Sequence, residues 1–277
     1  MKVVETIAEM KQVRRALKEP VGFVPTMGYL HEGHISLVRQ AKAENKAVVV
    51  SIFVNPTQFG PKEDLSKYPR DLKRDLAMLE KAGTDVVFFP SDKEMYPAGY
   101  DTWVDVDKLT KRLEGASRPT HFRGVTTVVA KLFNIVEADN AYFGQKDAQQ
   151  ALVIQKMVKD LDMNVRVVIC PTIREPDSLA MSSRNVYLTP EQRKQATVLY
   201  HSLQLAKELY TKGERNATKI RQQMTALIQK EPLAVIDYIS IASPETLEEL
   251  ETIQGKALVS MVVKFGNTRL LDNVMLG

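Results

Sequence analysis

Residues 21–45 read V-G-F-V-P-T-M-G-Y-L-H-E-G-H-I-S-L-V-R-Q-A-K-A-E-N, and this stretch decides the fold. Val21–Val24 is a short apolar strand, and Ile35–Asn45 carries apolar residues at the i, i+3, i+4 spacing of an amphipathic helix. Between them Gly28 and Gly33 let the backbone approach a ligand closely. Strand, tight turn and helix start form a setting in which exposed N–H groups and the helix dipole favour an anion.

The chain has only four histidines, and two of them, His31 and His34, stand three positions apart beside that helix start. This spacing puts both rings on one face. Two imidazoles so placed can hold a triphosphate and stabilise the extra charge on a phosphorus under attack; donors of this kind contribute about 3–4 kcal/mol each. Zinc ligation is the competing chemistry, but it needs a third protein ligand. His121 and His201 are remote in sequence, and the motif is not H-E-x-x-H. The metal ligands are left unknown.

The same alternation recurs outward from this unit. Ala47–Val54, Asp85–Phe89, Asn140–Phe143 and Val165–Cys170 read as further strands; Asp71–Ala82, Thr126–Glu137 and Ala148–Leu161 read as helices. Continuous apolar strands with crossover helices predict a Rossmann-like α/β architecture, a parallel sheet with helices on both faces. After Cys170 the texture changes. P-T-I-R-E-P-D-S-L-A-M-S-S-R-N reads as a linker or hinge, followed by helices near Pro190–Lys212 and Ala217–Gln229. Strands near Val235–Ala242, Ala257–Lys264 and Arg269–Met275 complete a smaller C-terminal α+β domain, the last two joined by an F-G-N-T hairpin. The expected domains are 1–172 and 173–277.

Composition narrows the function classes. The chain of 277 residues is 44% hydrophobic and 26% charged with a net charge of +4. That suits a small acidic ligand, and with no clustered basic stripe or aromatic platform no nucleic-acid partner is expected. The longest apolar tracts, such as A-V-V-V-S-I-F-V, are one strand long, so no membrane partner is expected either. The charged N-terminus does not read as a secretory leader, and the single Cys170 points to a reducing, cytoplasmic setting.

Ligands of such sheets bind beyond the C-terminal strand ends, and further polar clusters fall there. F-V-N-P-T-Q-F-G places Gln58 past the second strand, where an amide can bind a substrate carboxylate without neutralising it. The charged loop P-K-E-D-L-S-K-Y-P-R that follows is long enough to be a lid or an inert surface loop. R-P-T-H-F-R-G-V brings Arg118, His121 and Arg123 before a helix, as an anion site or as surface. F-G-Q-K-D-A-Q-Q offers Gly144, Lys146 as a point charge for phosphate, Asp147 as a helix cap or ribose partner, and Gln150. L-A-M-S-S-R-N supplies Ser182, Ser183 and Arg184, suited to clamping a triphosphate.

These motifs, in this order, together with the terminal R-L-L-D-N, resemble the pantoate–β-alanine ligase (pantothenate synthetase) family of H-x-G-H nucleotidyltransferases, from about residue 3 to the C-terminus. The resemblance implies a homodimeric ligase that joins pantoate to β-alanine with ATP and Mg²⁺, releasing AMP and pyrophosphate. It implies an ATP site formed by Met27, Gly28, Tyr29, Leu30, His31, Glu32, Gly33 and His34, with His34 in the place of the family's proton donor. Gly144, Gln145, Lys146, Asp147, Ile173, Met181, Ser182, Ser183 and Arg184 would complete it; His31, His34, Lys146 and Arg184 would carry the chemistry. Gln58 would contact pantoate and β-alanine, and Gln150 pantoate. Two loop positions depart from the expected pattern: Thr120 and Ser178 each stand where glycine is expected.

Overall fold

The apolar runs become strands covered on both faces. In the computed structural model, which describes residues 1–61 and 63–277, β1 (Lys2–Val4), β2 (Val21–Thr26), β3 (Ala47–Ile52), β4 (Val86–Phe88), β5 (Asn140–Gly144) and β6 (Arg166–Cys170) form one sheet. Its order is β1-β4-β3-β2-β5-β6, with every neighbouring pair parallel. The crossover elements are α1 (Ile7–Arg14), α2 (Glu32–Glu44), α3 (Leu72–Lys81), α4 (Asp92–Met95), α5 (Glu114–Ser117), α6 (His121–Val136) and α7 (Ala148–Asp160). All six residues of β3 are buried because alternate side chains serve different cores. Ala47 and Val49 join Val21 and Phe23 of β2, Met10 of α1, Val125 and Val129 of α6, and Ile154 and Met157 of α7. Val48, Val50 and Ile52 pack instead with Ile35 and Val38 of α2 and Leu79 of α3.

Strand order locates the site. From β2 the chain moves to β3 and β4 on one side, then crosses to β5 on the other. The C-terminal tips of β2 and β5 therefore flank the topological switch point.

The chain divides into two compact units, Met1–Gln145 with Gln149–Pro171, and Lys146–Ala148 with Thr172–Gly277. The second contains α8 (Pro190–Ala196), α9 (Val198–Thr211), α10 (Ala217–Ile228) and an antiparallel sheet of β7 (Ala234–Ala242), β8 (Ala257–Phe265) and β9 (Thr268–Leu276). One face of that sheet, with Val259, Met261 and Val263, packs on Leu199 and Leu203 of α9 and Ile220 and Met224 of α10.

Several elements differ from the sequence reading. β1 and α1 were not foreseen: a three-residue strand and a helix of mixed composition give weak periodicity. α2 starts at Glu32, three residues earlier than the apolar pattern indicates, because its first turn is polar; α6 starts at His121, five residues earlier, with Phe122 and Val125 already buried at its start. The expected helix over 190–212 is broken at Thr197 into α8 and α9. The stretch after Cys170 is not a loose linker. Arg174 pairs with Ala180 as an antiparallel bridge, and the Met181 N–H donates to the Ile173 carbonyl at 3.0 Å.

Candidate active site

The turn after β2 runs left-handed through two residues, Gly28 at φ 80° and Tyr29 at φ 48°. Asp75 of α3 holds it there. Its Oδ2 accepts the Tyr29 N–H and its Oδ1 the Leu30 N–H, both at 2.7 Å. An added Cβ at Gly28 would sit tightly, 3.0 Å from Ile52 Cγ2 and 3.1 Å from Asp75 Oδ2, and the left-handed conformation itself favours glycine. Asp75 is 1% exposed; burial pushes its carboxyl above the usual range, against the pull of those two donors. Arg74 closes the other side, donating to the Leu30 carbonyl at 2.8 Å.

The remaining amides of the turn are also occupied. The Gly28 N–H donates to Thr26 Oγ1 at 3.2 Å, and the His31 N–H to His34 Nδ1 at 3.3 Å. The amides of residues 28 to 31 thus all have partners within the chain, and none of them belongs to the start of α2 at Glu32, where the sequence places the anion. What the turn presents is imidazole. His31 is the N-cap of α2 and His34 lies in its first turn, with ring centroids 4.0 Å apart and planes at 38°. Because His34 Nδ1 accepts a backbone hydrogen bond, the neutral ring carries its proton on Nε2.

The turn after β3 is built differently. Pro56–Gln58 is a single right-handed 3₁₀ turn capped by Asn55. Asn55 Nδ2 donates to Gln58 Oε1 and to the Gly124 carbonyl, both at 3.1 Å. Gln58 is buried, and its Nε2 lies 3.1 Å from Met27 Sδ, which brings this turn to the one after β2. A Cβ at Gly124 would fall 2.5 Å from the Thr57 carbonyl oxygen, so α6 packs backbone to backbone against the turn. Arg118 and His121 support the same turn: Arg118 Nη2 donates to the Gln58 carbonyl at 3.3 Å, and His121 Nδ1 lies 2.9 Å from it. Arg118 Nε also donates to Glu63 at 2.8 Å. Arg123 stacks 4.6 Å over Trp103. Tyr68 of the charged loop packs edge-on to Phe59, while Lys62 of that loop lies outside the described residues.

Gly144 ends β5 and Gln145 follows; Gln150 is half-buried in the first turn of α7. Its neighbour Gln149, which the sequence reading passed over, is buried and donates to the Leu109 and Arg112 carbonyls, both at 2.8 Å.

Lys146, Asp147, Ile173 and Met181–Arg184 belong to the second unit. There the terminal R-L-L-D-N motif is an anchor. Asp272, 1% exposed, takes a two-pronged ion pair from Arg174, at 2.6 and 3.0 Å. Asn273 Nδ2 donates to the Lys146 carbonyl at 2.7 Å. Ser182 caps a 3₁₀ turn over Ser183–Tyr187, its hydroxyl accepting the Arg184 N–H at 3.3 Å. The two positions where glycine was expected differ: Ser178 sits at φ 73°, whereas Thr120 is right-handed at φ −97°.

Three residues that shape the site, Asp75, Asn55 and Tyr96, were missed. For Asp75 a signal existed. It falls on the stripe Leu72, Asp75, Leu76, Leu79 of α3, a carboxylate where helical spacing calls for a core residue.

The fold and this strand tip together define a class: a Rossmann-like α/β protein with a histidine-bearing turn at its switch point. Comparison with known proteins takes this further. The pantoate-beta-alanine ligase family model matches residues 2–275, and the chain belongs to that family. A pantothenate synthetase from Acetivibrio thermocellus is 59% identical, with 99% of each chain covered. One from Thermotoga petrophila is 56% identical, with both chains fully covered. Among solved structures, the pantothenate synthetase from Thermus thermophilus superposes with a TM-score of 0.95 at 50% identity, covering 99% of each chain. The pantoate-beta-alanine ligase from Francisella tularensis, complexed with beta-gamma ATP and beta-alanine, gives 0.81 at 35% identity, covering 99% of this chain and 97% of that one.

Proposed function

We propose that this chain condenses pantoate with β-alanine, using ATP and releasing AMP and pyrophosphate through a pantoyl-adenylate intermediate. The observation that carries this is the family match over residues 2–275 on a chain whose switch-point turn holds two imidazoles 4.0 Å apart.

In the first step a pantoate carboxylate oxygen attacks the α-phosphorus and pyrophosphate leaves. His31, His34 and Lys146 meet the growing negative charge, Arg184 closes over the phosphates, and electrostatic stabilisation is the largest contribution. The His34 Nε2–H is the donor that its tautomer provides. Met27–His34, Gly144–Asp147, Ile173 and Met181–Arg184 line the nucleotide. Gln58 and Gln150 hold pantoate, and Gln58 also meets β-alanine. In the second step the deprotonated amine of β-alanine attacks the acyl carbon and AMP leaves.

Mg²⁺ enters as part of the nucleotide substrate, carried by its phosphates. Among the described residues no group of three or more His, Cys, Asp or Glu side chains that could hold a metal ion is gathered. The enzyme is read as a cytoplasmic homodimer without membrane or nucleic-acid partners. No helix among the described residues is long and apolar enough to cross a membrane.

The test is pyrophosphate release with each substrate omitted in turn. Release should require pantoate but not β-alanine, and pantothenate should form only when β-alanine is added. Release without any acid would overturn the reaction assigned here.

A further inference from the structure

The amide of Gln58 has two faces, and the protein decides which one the substrate meets. Asn55 is the arbiter. Its Nδ2 has two hydrogens, directed at Gln58 Oε1 and the Gly124 carbonyl, both at 3.1 Å. Its Oδ1 accepts from the Tyr96 hydroxyl at 2.8 Å and from the Thr57 hydroxyl at 2.9 Å. A flipped Asn55 would turn its oxygen onto the Gly124 carbonyl, acceptor against acceptor, and its NH₂ toward the two hydroxyls. Donors on one side and a backbone acceptor on the other therefore permit one orientation. With Asn55 so fixed, Gln58 Oε1 faces a donor and its Nε2 turns to the side of Met27, whose sulfur is only a weak acceptor.

We infer that Tyr96 is a positioning residue that acts through Asn55 to make Gln58 a committed hydrogen-bond donor, so that the pantoate group it receives must be an acceptor, a carboxylate or hydroxyl oxygen. Tyr96 reaches this network from outside the strand tips, directly after α4. Its ring is held edge-on by Tyr100 at 5.0 Å and beside Phe53 at 6.2 Å. Burial pushes its hydroxyl up to about 12, so it remains a donor throughout the working pH range. Thr57 supplies the second donor to the same Oδ1, so loss of Tyr96 loosens the orientation without abolishing it. This inference rests on the assignment of Gln58 to pantoate.

Steady-state kinetics of Tyr96→Phe, Gln58→Ala and the double variant test it. Tyr96→Phe keeps both ring contacts and deletes one hydrogen bond, and it should raise KM for pantoate about fivefold, the usual effect of one such bond. KM for ATP and kcat should stay within about twofold. In the Gln58→Ala background the same substitution should add nothing, because the residue it orients is gone. An unchanged pantoate KM in Tyr96→Phe, or an equal effect in both backgrounds, would overturn the positioning role. If Gln58→Ala itself leaves pantoate KM unchanged, the substrate assignment fails and this inference with it. A Gln58→Ala effect beside a silent Tyr96→Phe sinks the inference alone.

Discussion

After β2 the chain passes through two consecutive left-handed residues, and a buried carboxylate on α3 holds it there; after β3 it makes one right-handed turn, and a neutral amide suffices. The difference follows from strain. A non-glycine residue in the left-handed region costs about 1–3 kcal/mol, and Tyr29 is such a residue. Charge-assisted bonds, roughly twice as strong as neutral ones, offset it. The turn led by Pro56 has no such burden, and its weaker neutral bonds can serve to aim a side chain. One tip is braced to display rings at a fixed place; the other is tuned to present a chosen face of an amide.

Four substitutions break or sharpen this contrast. The largest effect is expected at the braced tip: His34→Ala should lower the rate of pantoyl-adenylate formation by about 10²–10³-fold, the cost of one placed donor. Rapid-quench measurement of pyrophosphate gives that rate, and a wild-type value would remove the chemistry from this tip. Next comes the brace itself. Asparagine at position 75 can accept only one of the two turn amides and sets an N–H against the other. Asp75→Asn should therefore destabilise the protein by about 2 kcal/mol, read from the urea midpoint. A loss below about 0.5 kcal/mol would show that charge is not what holds the turn. The smallest effect repeats the contrast elsewhere. Glycine at the left-handed Ser178 should stabilise by about 0.5–1 kcal/mol, while glycine at the right-handed Thr120 should destabilise by about 0.5 kcal/mol. Shifts of the same sign in thermal melts of the two variants would contradict the conformational account.

What could be read beforehand divides along a physical line. Val21–Val24, the glycine turn and the His31/His34 spacing are local in sequence, and the parallel sheet followed from runs such as Ala47–Val54. Arg118 and His121 were noticed, but their shared grip on the Gln58 carbonyl spans some sixty residues of chain and leaves no periodic trace. Asp75 lies among charged neighbours in L-K-R-D-L, and the apolar stripe of α3 marks it as inward-facing without showing which donors it meets. The anion was expected at the helix start, and nothing nearby in sequence shows that the amides of the turn before it, residues 28 to 31, are occupied. The group that occupies two of them arrives from 45 and 46 positions away. Local pattern reveals which atoms reach the strand tips; long-range polar partners decide which of those atoms remain on offer.

The contact at Gly124 has a bearing on how selectivity can be re-engineered. Since a single methyl there would collide with the Thr57 carbonyl, one carbon atom added to the face of α6 that meets this turn forces the two backbones apart. A change at this buried backbone contact would therefore alter how Gln58 is aimed without replacing Gln58 itself.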